Sequence, residues 1–482
     1  MPLPRSLLFV LRFSSFVFPL SLSSSPLPAP HSPLLASPHS PLPAPHSSPP
    51  RPNLLVILAD DIGIGDTGFS GSKDVATPNI DRLAREGAVF TAGYVTAPVC
   101  SPSRAGYLSG RYQQRFGHEF NPPGGGRQGS PGLPTSVKLL PARLKEVGYR
   151  TAIVGKWHLG QTQEFHPLAR GFDEQPLGFL GSQRNYLGES KGPAQTLQKD
   201  GKPAEAKGYL TDQFGDEGAA FITRQKGGKQ PWFLWMAFNA SHTPLEATEA
   251  YLARVPKSVS ADRRTVVAMT LALDDNVGKL LKALEASGQA KDTVVVFTSD
   301  NGAAQSSRAS NLGLRGWKTT TFEGGIRSAM AVRWPGKIPA GLSLAAPTTT
   351  LDLAATYLEL ASGKVPSDLD GRGLAAALTK GAPLDPERPI FWRMGDVWAV
   401  RKGDWKLLCS KDRGGPGGSP LTLLVNLKDD PAERTDLSAK NPAKRKELEA
   451  AYQVWTATLA APLWKESEGR PPLNQSGAGR PR

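Results

Sequence analysis

Five short apolar runs constrain this chain more than any other feature. Residues 53–59 (NLLVILA) form a continuous hydrophobic stretch, and 150–154, 232–238, 293–298 and 328–334 repeat it. A strand with one wet face alternates apolar with polar residues, whereas a strand covered on both faces has no need to. Helical patterns separate the runs, at 139–147 and from about 262 to 286. Another helix is signalled by Thr77, read as an N-cap, with Pro78 at the first helical position and Gly87 past the end. Strands alternating with helices predict an α/β fold, with a large, mostly parallel central sheet sandwiched by helices.

After Pro389 the texture changes. Short runs at 390–392, 397–401, 405–409 and 423–427 read as antiparallel strands, 414–419 as a loop and 442–459 as a closing helix. The chain of 482 residues divides accordingly into a large α/β domain at 52–385 and a smaller C-terminal α+β subdomain at 386–465. Residues 466–482, rich in Pro, Gly and Arg, read as a disordered tail. Residues 1–25 resemble an export signal, although Arg12 interrupts the apolar stretch. Residues 26–51 repeat PLPAPHS and read as an extended linker. The expected location is therefore secreted or periplasmic, without a stable membrane span. A formal charge of +14 suits an anionic partner. No helix-turn-helix, zinc-finger or RNA-binding signature accompanies it, so nucleic acid is not expected. Nothing in the sequence fixes an oligomeric state.

In open α/β sheets, ligands bind beyond the carboxyl ends of the strands. Here those ends are unusually polar. The first run leads into Asp60 and Asp61, the second into Lys156 and His158, the third to His242, and the fourth to Asp300 and Asn301. A single Asp after a strand commonly caps a turn, and a lone His is commonly satisfied locally. Four strands ending this way point to a site. Asp60, Asp61, Asp300 and Asn301 form an all-oxygen set that suits Ca²⁺, or Mg²⁺, and does not suit zinc. Cys100 is one of only two cysteines, with Cys409. Ser101 is read as a helix N-cap with Pro102 following, which places the Cys100 sulfur beside a helix N-terminus and Arg104, where a thiolate is favoured. His118 and His166 carry no motif and are read as structural.

Cys100-Ser101-Pro102-Ser103-Arg104 resembles the C-x-P-x-R signature of the sulfatases. Leu108-Ser109-Gly110-Arg111, the segment Gly155-Lys156-Trp157-His158-Leu159-Gly160, His242-Thr243-Pro244, Ser299-Asp300-Asn301-Gly302 and Gly324-Gly325-Ile326-Arg327 follow in family order. Asp430-Pro431, Glu433 and Asp436-Leu437 are similar to a common C-terminal pattern. Ala105-Gly106-Tyr107 and Val425-Asn426 depart from it, away from the site. The resemblance implies an alkaline-phosphatase-like fold and a sulfuric ester hydrolase. It also implies that a separate maturing enzyme oxidises Cys100 to formylglycine, whose hydrate attacks sulfur beside the cation. Under the same resemblance Arg104 orients the modified residue, while Lys156 and Lys318 clamp the sulfate. His158 then takes a proton and His242 protonates the leaving alcohol. The implied substrate is a sulfated carbohydrate or an aryl sulfate, with an arylsulfatase or N-acetylgalactosamine sulfatase as the nearest type. The alternatives are a phosphate or phosphonate ester hydrolase of the same superfamily and an inactive protein that binds sulfated glycans.

Overall fold

A computed structural model describes residues 51–123, 129–190, 192–410 and 421–465. The predicted signal and linker up to residue 50, the 414–419 loop and the 466–482 tail lie outside the described residues. Four of the apolar runs form parallel neighbours at the centre of a ten-stranded sheet: β1 (Asn53–Ala59), β2 (Arg150–Lys156), β3 (Trp232–Ala237) and β4 (Thr293–Ser299), in the order β4-β1-β3-β2. The expected 328–334 strand shortens to Ala331–Arg333, which pairs antiparallel with β4. Glu174–Phe179 continues the sheet parallel to β2 on the other side.

The apolar runs are continuous because helices cover both faces. Leu54, Val56 and Leu58 pack with Tyr107, Leu140, Leu144 and Tyr357 from the helices on one side. Leu55 and Ile57 pack with Leu83, Phe214, Phe221, Met269 and Leu280 on the other. Successive strand residues point to opposite faces, so each run fills two cores at once. The long helix predicted from about 262 spans Arg264–Ala286.

Two predicted caps are corrected. Thr77 stands at the N-cap position of the helix Pro78–Arg85, as expected, but makes no side-chain cap hydrogen bond; its hydroxyl donates to Asp81 at 2.9 Å and accepts from the Gly68 amide at 2.8 Å. The free amides of Asn79 and Ile80 are met instead by the Asp274 carboxylate of the long helix, at 3.1 and 2.8 Å. Nor does Ser101 cap its helix, which begins one residue earlier and spans Cys100–Ser109, with Val99 at the N-cap position.

The C-terminal part carries a four-stranded antiparallel sheet of Ile390–Met394, Val397–Lys402, Trp405–Ser410 and Leu421–Asn426. The helix Pro442–Thr456 closes one face through Leu448 and Trp455. The other face packs Ile390, Trp392 and Leu408 against Tyr94, Phe322 and Ile326. A buried ion cluster ties this contact together. Lys406 Nζ lies 2.9 Å from Glu323 and 2.8 Å from Glu433, all three side chains being inaccessible, and the Tyr94 hydroxyl donates to Glu323 at 2.7 Å. Glu433, noted in the C-terminal sequence pattern, also accepts the Glu323 amide at 2.6 Å. Removing the cation strands these carboxylates in the core. Lys406→Met is expected to cost about 3–5 kcal/mol, which thermal or urea denaturation reads directly; an unchanged midpoint would refute this role.

Among the described residues, no helix is long and apolar enough to cross a membrane. Cys100 and Cys409 are buried and no disulfide joins them.

Candidate active site

Because the central strands are parallel, their carboxyl ends open on one edge of the sheet, and the register keeps those ends level. The Asp300 amide donates to the Ala59 carbonyl at 3.1 Å, and the Asp60 amide to Ala240 at 3.0 Å. Cys100, the first residue of its helix, comes to the same edge, where its thiol lies 3.6 Å from Asp60 Oδ1. One turn along that helix, Arg104 Nε donates to Asp300 Oδ2 at 2.8 Å and Nη1 to the Lys156 carbonyl at 2.8 Å. Lys156 Nζ meets Asp60 Oδ2 at 2.5 Å. Lys318 Nζ and Asn301 Nδ2 both donate to Asp61 Oδ1, at 2.6 and 2.8 Å. His242 Nε2 lies 3.7 Å from Asp61 Oδ2. His158, two residues past the Lys156 end of β2, is 4% exposed and sits within the field of Lys156, Arg104, Lys318 and His242. The structure thus brings together all ten residues singled out in the sequence.

These are three carboxylates against three permanent cations, nearly all withdrawn from water. Burial pushes Asp60 and Asp300 upward in pKa, whereas for Asp61 the nearby Lys318 and His242 outweigh burial and hold it low. Burial alone would raise the Cys100 thiol; Lys156 and Lys318 reverse this and bring it down to about 7. His158 is pushed well down by burial and by its cationic neighbours. His242 goes up, because Asp61 and Asp60 overcome burial and Lys318. The same site thus drives its two imidazoles in opposite directions.

Donor chemistry decides whether this cluster fits a cation. Asp60, Asp61, Cys100 and His242 each offer a donor atom, all within 4.8 Å of one another. Beside them Asp300 Oδ1 and Asn301 Oδ1 are buried without a hydrogen-bond partner. A buried acceptor left bare costs about 1–3 kcal/mol, and a hard cation would satisfy both. The oxygens of Asp60, Asp61, Asp300 and Asn301 fit Ca²⁺ or Mg²⁺.

Lys318 follows Arg315-Gly316-Trp317, and its loop shows what holds it. Its amide donates to Ala303 at 2.8 Å, and that of Thr319, in the left-handed region at φ 81°, donates to Pro98 at 2.8 Å. The loop rests directly on Gly324 and Gly325. A Cβ at Gly324 would stand 2.3 Å from the Gly316 carbonyl oxygen, and one at Gly325 only 2.1 Å from that of Thr320. The paired glycines therefore serve close backbone packing under the lysine. Gly325→Ala is expected to displace Lys318 and lower kcat by about a hundredfold; steady-state kinetics beside a melting curve checks this.

Sequence reasoning missed Tyr186. Its buried hydroxyl reaches the carbonyls of Asn239 and, at 2.9 Å, His242, bracing the turn that presents His242. The 178–186 segment resembles sulfatases that act on amino sugars, but the contact of Tyr186 with the His242 turn is visible only in the fold. Asn239, in a formal glycosylation sequon, is 1% exposed and leaves no room for a glycan. His166 is satisfied locally, by Gln198 and the Leu168 amide.

A family model described as Sulfatase matches residues 52–364, well over half the chain. The N-acetylgalactosamine-6-sulfatase of Mus musculus is 37% identical across 74% of this chain and 72% of its own length. The steryl-sulfatase of the same species is 29% identical across 95% and 88%. Among solved structures, Ps i-CgsB in complex with k-i-k-neocarrahexaose superposes with a TM-score of 0.80 at 36% identity, covering 87% of this chain and 95% of that one. The phosphonate monoester hydrolase SpPMH from Silicibacter pomeroyi, at 18% identity and a TM-score of 0.60, shares the fold alone. With half the chain matched by the family model and relatives above one-third identity, this protein belongs to the sulfatase family and is a sulfuric ester hydrolase.

Proposed function

We propose that the protein removes sulfate from sulfated carbohydrates, using formylglycine made from Cys100 and a Ca²⁺ held by Asp60, Asp61, Asp300 and Asn301, a set that would also accept Mg²⁺. The observation that carries this reading is the meeting of Cys100, three carboxylates and three cations beside the strand ends. When present, the aldehyde hydrate supplies a nucleophilic oxygen, and the cation lowers the cost of charge on it and on the sulfate.

The chain's own groups do the rest. Arg104 donates from Nε to Asp300 and from Nη1 to the Lys156 carbonyl, and its Nη2 lies 3.7 Å from Asp60, so it aligns the carboxylates and the strand end that form the site. Lys156 and Lys318 each engage one carboxylate oxygen and keep two further N–H donors for sulfate oxygens. His242 Nδ1 faces the Thr243 carbonyl at 2.7 Å, and since a carbonyl only accepts, that nitrogen carries a proton. Its raised pKa suits protonation of the leaving alcohol. His158, held neutral, suits taking a proton as sulfate departs.

Residues 52–385 are assigned to the catalytic domain and 386–465 to the C-terminal subdomain. Residues 1–25 are assigned to export, which makes the protein secreted or periplasmic and dependent on a maturing enzyme for Cys100. A carbohydrate substrate is supported by the relatives named for N-acetylgalactosamine 6-sulfate and by the bound neocarrahexaose. The test compares sulfated amino sugars and galactosides with matched aryl sulfate and aryl phosphate esters. Sulfate should be preferred over phosphate by at least about a hundredfold in kcat/KM, with a sulfated sugar the best substrate. Faster phosphate cleavage would overturn the reading, as would tight sulfated-glycan binding without turnover.

A further inference from the structure

His118 is one of the most enclosed histidines in the molecule, with no exposed surface, and the mechanism above does not use it. Its ring packs edge-on against Trp464, and its Nε2 lies 2.7 Å from the Ser101 hydroxyl. Ser101 Oγ in turn donates to the His158 main-chain carbonyl at 2.5 Å. That direction is forced, since a carbonyl has no proton to give. The serine's only proton is then used, so it accepts from His118, and Nε2 bears the imidazole hydrogen. In this tautomer His118 Nδ1 is an unprotonated acceptor, and it is buried with no hydrogen-bond partner. Burial, with Arg170 nearby, drives the His118 pKa down to about 3, so the ring is neutral.

The recipient of this chain is unusual. His158 adopts φ 63°, a left-handed conformation that costs an ordinary residue about 1–2 kcal/mol. Its backbone is gripped on both sides, the amide by the Leu180 carbonyl at 3.1 Å and the carbonyl by Ser101. Ser101 also follows Cys100 directly in the first turn of the helix, where its amide donates to Asn121 at 3.1 Å. One serine therefore joins the backbone that carries the nucleophile position to the backbone that carries the base.

We infer that His118 and Ser101 form a clamp that positions His158: the His118 Nε2–H aims the Ser101 hydroxyl at the His158 carbonyl and holds the imidazole in reach of the Cys100 position. Neither residue touches the reacting atoms; both act through His158. This rests on the proposed role of His158 in turnover.

The test uses full-length protein, with formylglycine occupancy at Cys100 measured for every variant so that kcat refers to modified enzyme only. Ser101→Ala removes one oxygen, and His118→Ala removes the donor that aims it. Each is expected to lower kcat on an aryl sulfate by about ten- to a hundredfold while changing KM less than about threefold. Because both cut the same chain, the double variant should be no slower than the worse single. Ser101→Thr, which keeps the hydroxyl, should restore most of the rate. Losses that multiply, a Ser101→Thr as slow as Ser101→Ala, or folded single variants with wild-type kcat would overturn the clamp. A His118→Ala that fails to fold leaves the serine pair of variants decisive. Absence of turnover in the wild type would instead reject the functional reading on which the clamp depends.

Discussion

Cys100→Ala is expected to abolish turnover, by a factor on the order of 10⁵–10⁶ in kcat, the scale seen when a covalent nucleophile is removed. The protein should nonetheless fold. The side chain is 1% exposed, and its thiol makes only a weak approach of 3.6 Å to Asp60 beside His242. Losing one sulfur from such a site costs about 1 kcal/mol. The variant separates chemistry from structure. Rates on an aryl sulfate, measured beside melting temperature, should show a dead enzyme with near-normal stability. Residual activity within about tenfold of wild type would mean that another group attacks sulfur.

The second large effect is expected at Asp61, and its readout is independent of activity. Asp61 sits at φ 64°, in the left-handed region that Asn tolerates well, so Asp61→Asn preserves both size and backbone. What it removes is charge. Lys318, 2.6 Å away, loses its carboxylate, as does His242 at 3.7 Å, and the oxygen set loses one of its three anionic donors. A ligand that binds only the folded state raises stability by about 2.7 kcal/mol at a hundred times its Kd. Titrating calcium against melting temperature should therefore show a clear rise in the wild type. In Asp61→Asn the midpoint of that rise should move to at least about a hundredfold higher calcium. Identical calcium curves for the two proteins would remove Asp61 from the cation site.

Much of the fold was legible because burial on two faces writes itself into composition. The four central strands, covered by helices on both sides, appear as unbroken apolar runs, and polar residues follow each run because the sheet ends there. Strands of two or three residues, such as Ala88–Phe90, Leu342–Leu344 and Gln198–Lys199, are too short to show a period. The caps failed for a different reason. Ser101 and Thr77 have the residue type that local propensity favours, yet tertiary partners took their hydroxyls: His118 and the His158 carbonyl for one, Asp81 and the Gly68 amide for the other. Asp274, nearly 200 residues away in sequence, does the capping that Thr77 was expected to do. Site residues at strand ends could be found because the chemistry demands charged groups where the sheet supplies none. Tyr186 and His118 act through backbone carbonyls, and such contacts leave no signature in residue spacing.

Mass spectrometry of the tryptic peptide covering residues 86–104, from protein produced together with a formylglycine-generating enzyme, tests the central claim most directly. The account predicts an aldehyde at position 100, with sulfatase activity rising in proportion to its occupancy. An intact Cys100 thiol in protein that still cleaves sulfate esters would contradict it.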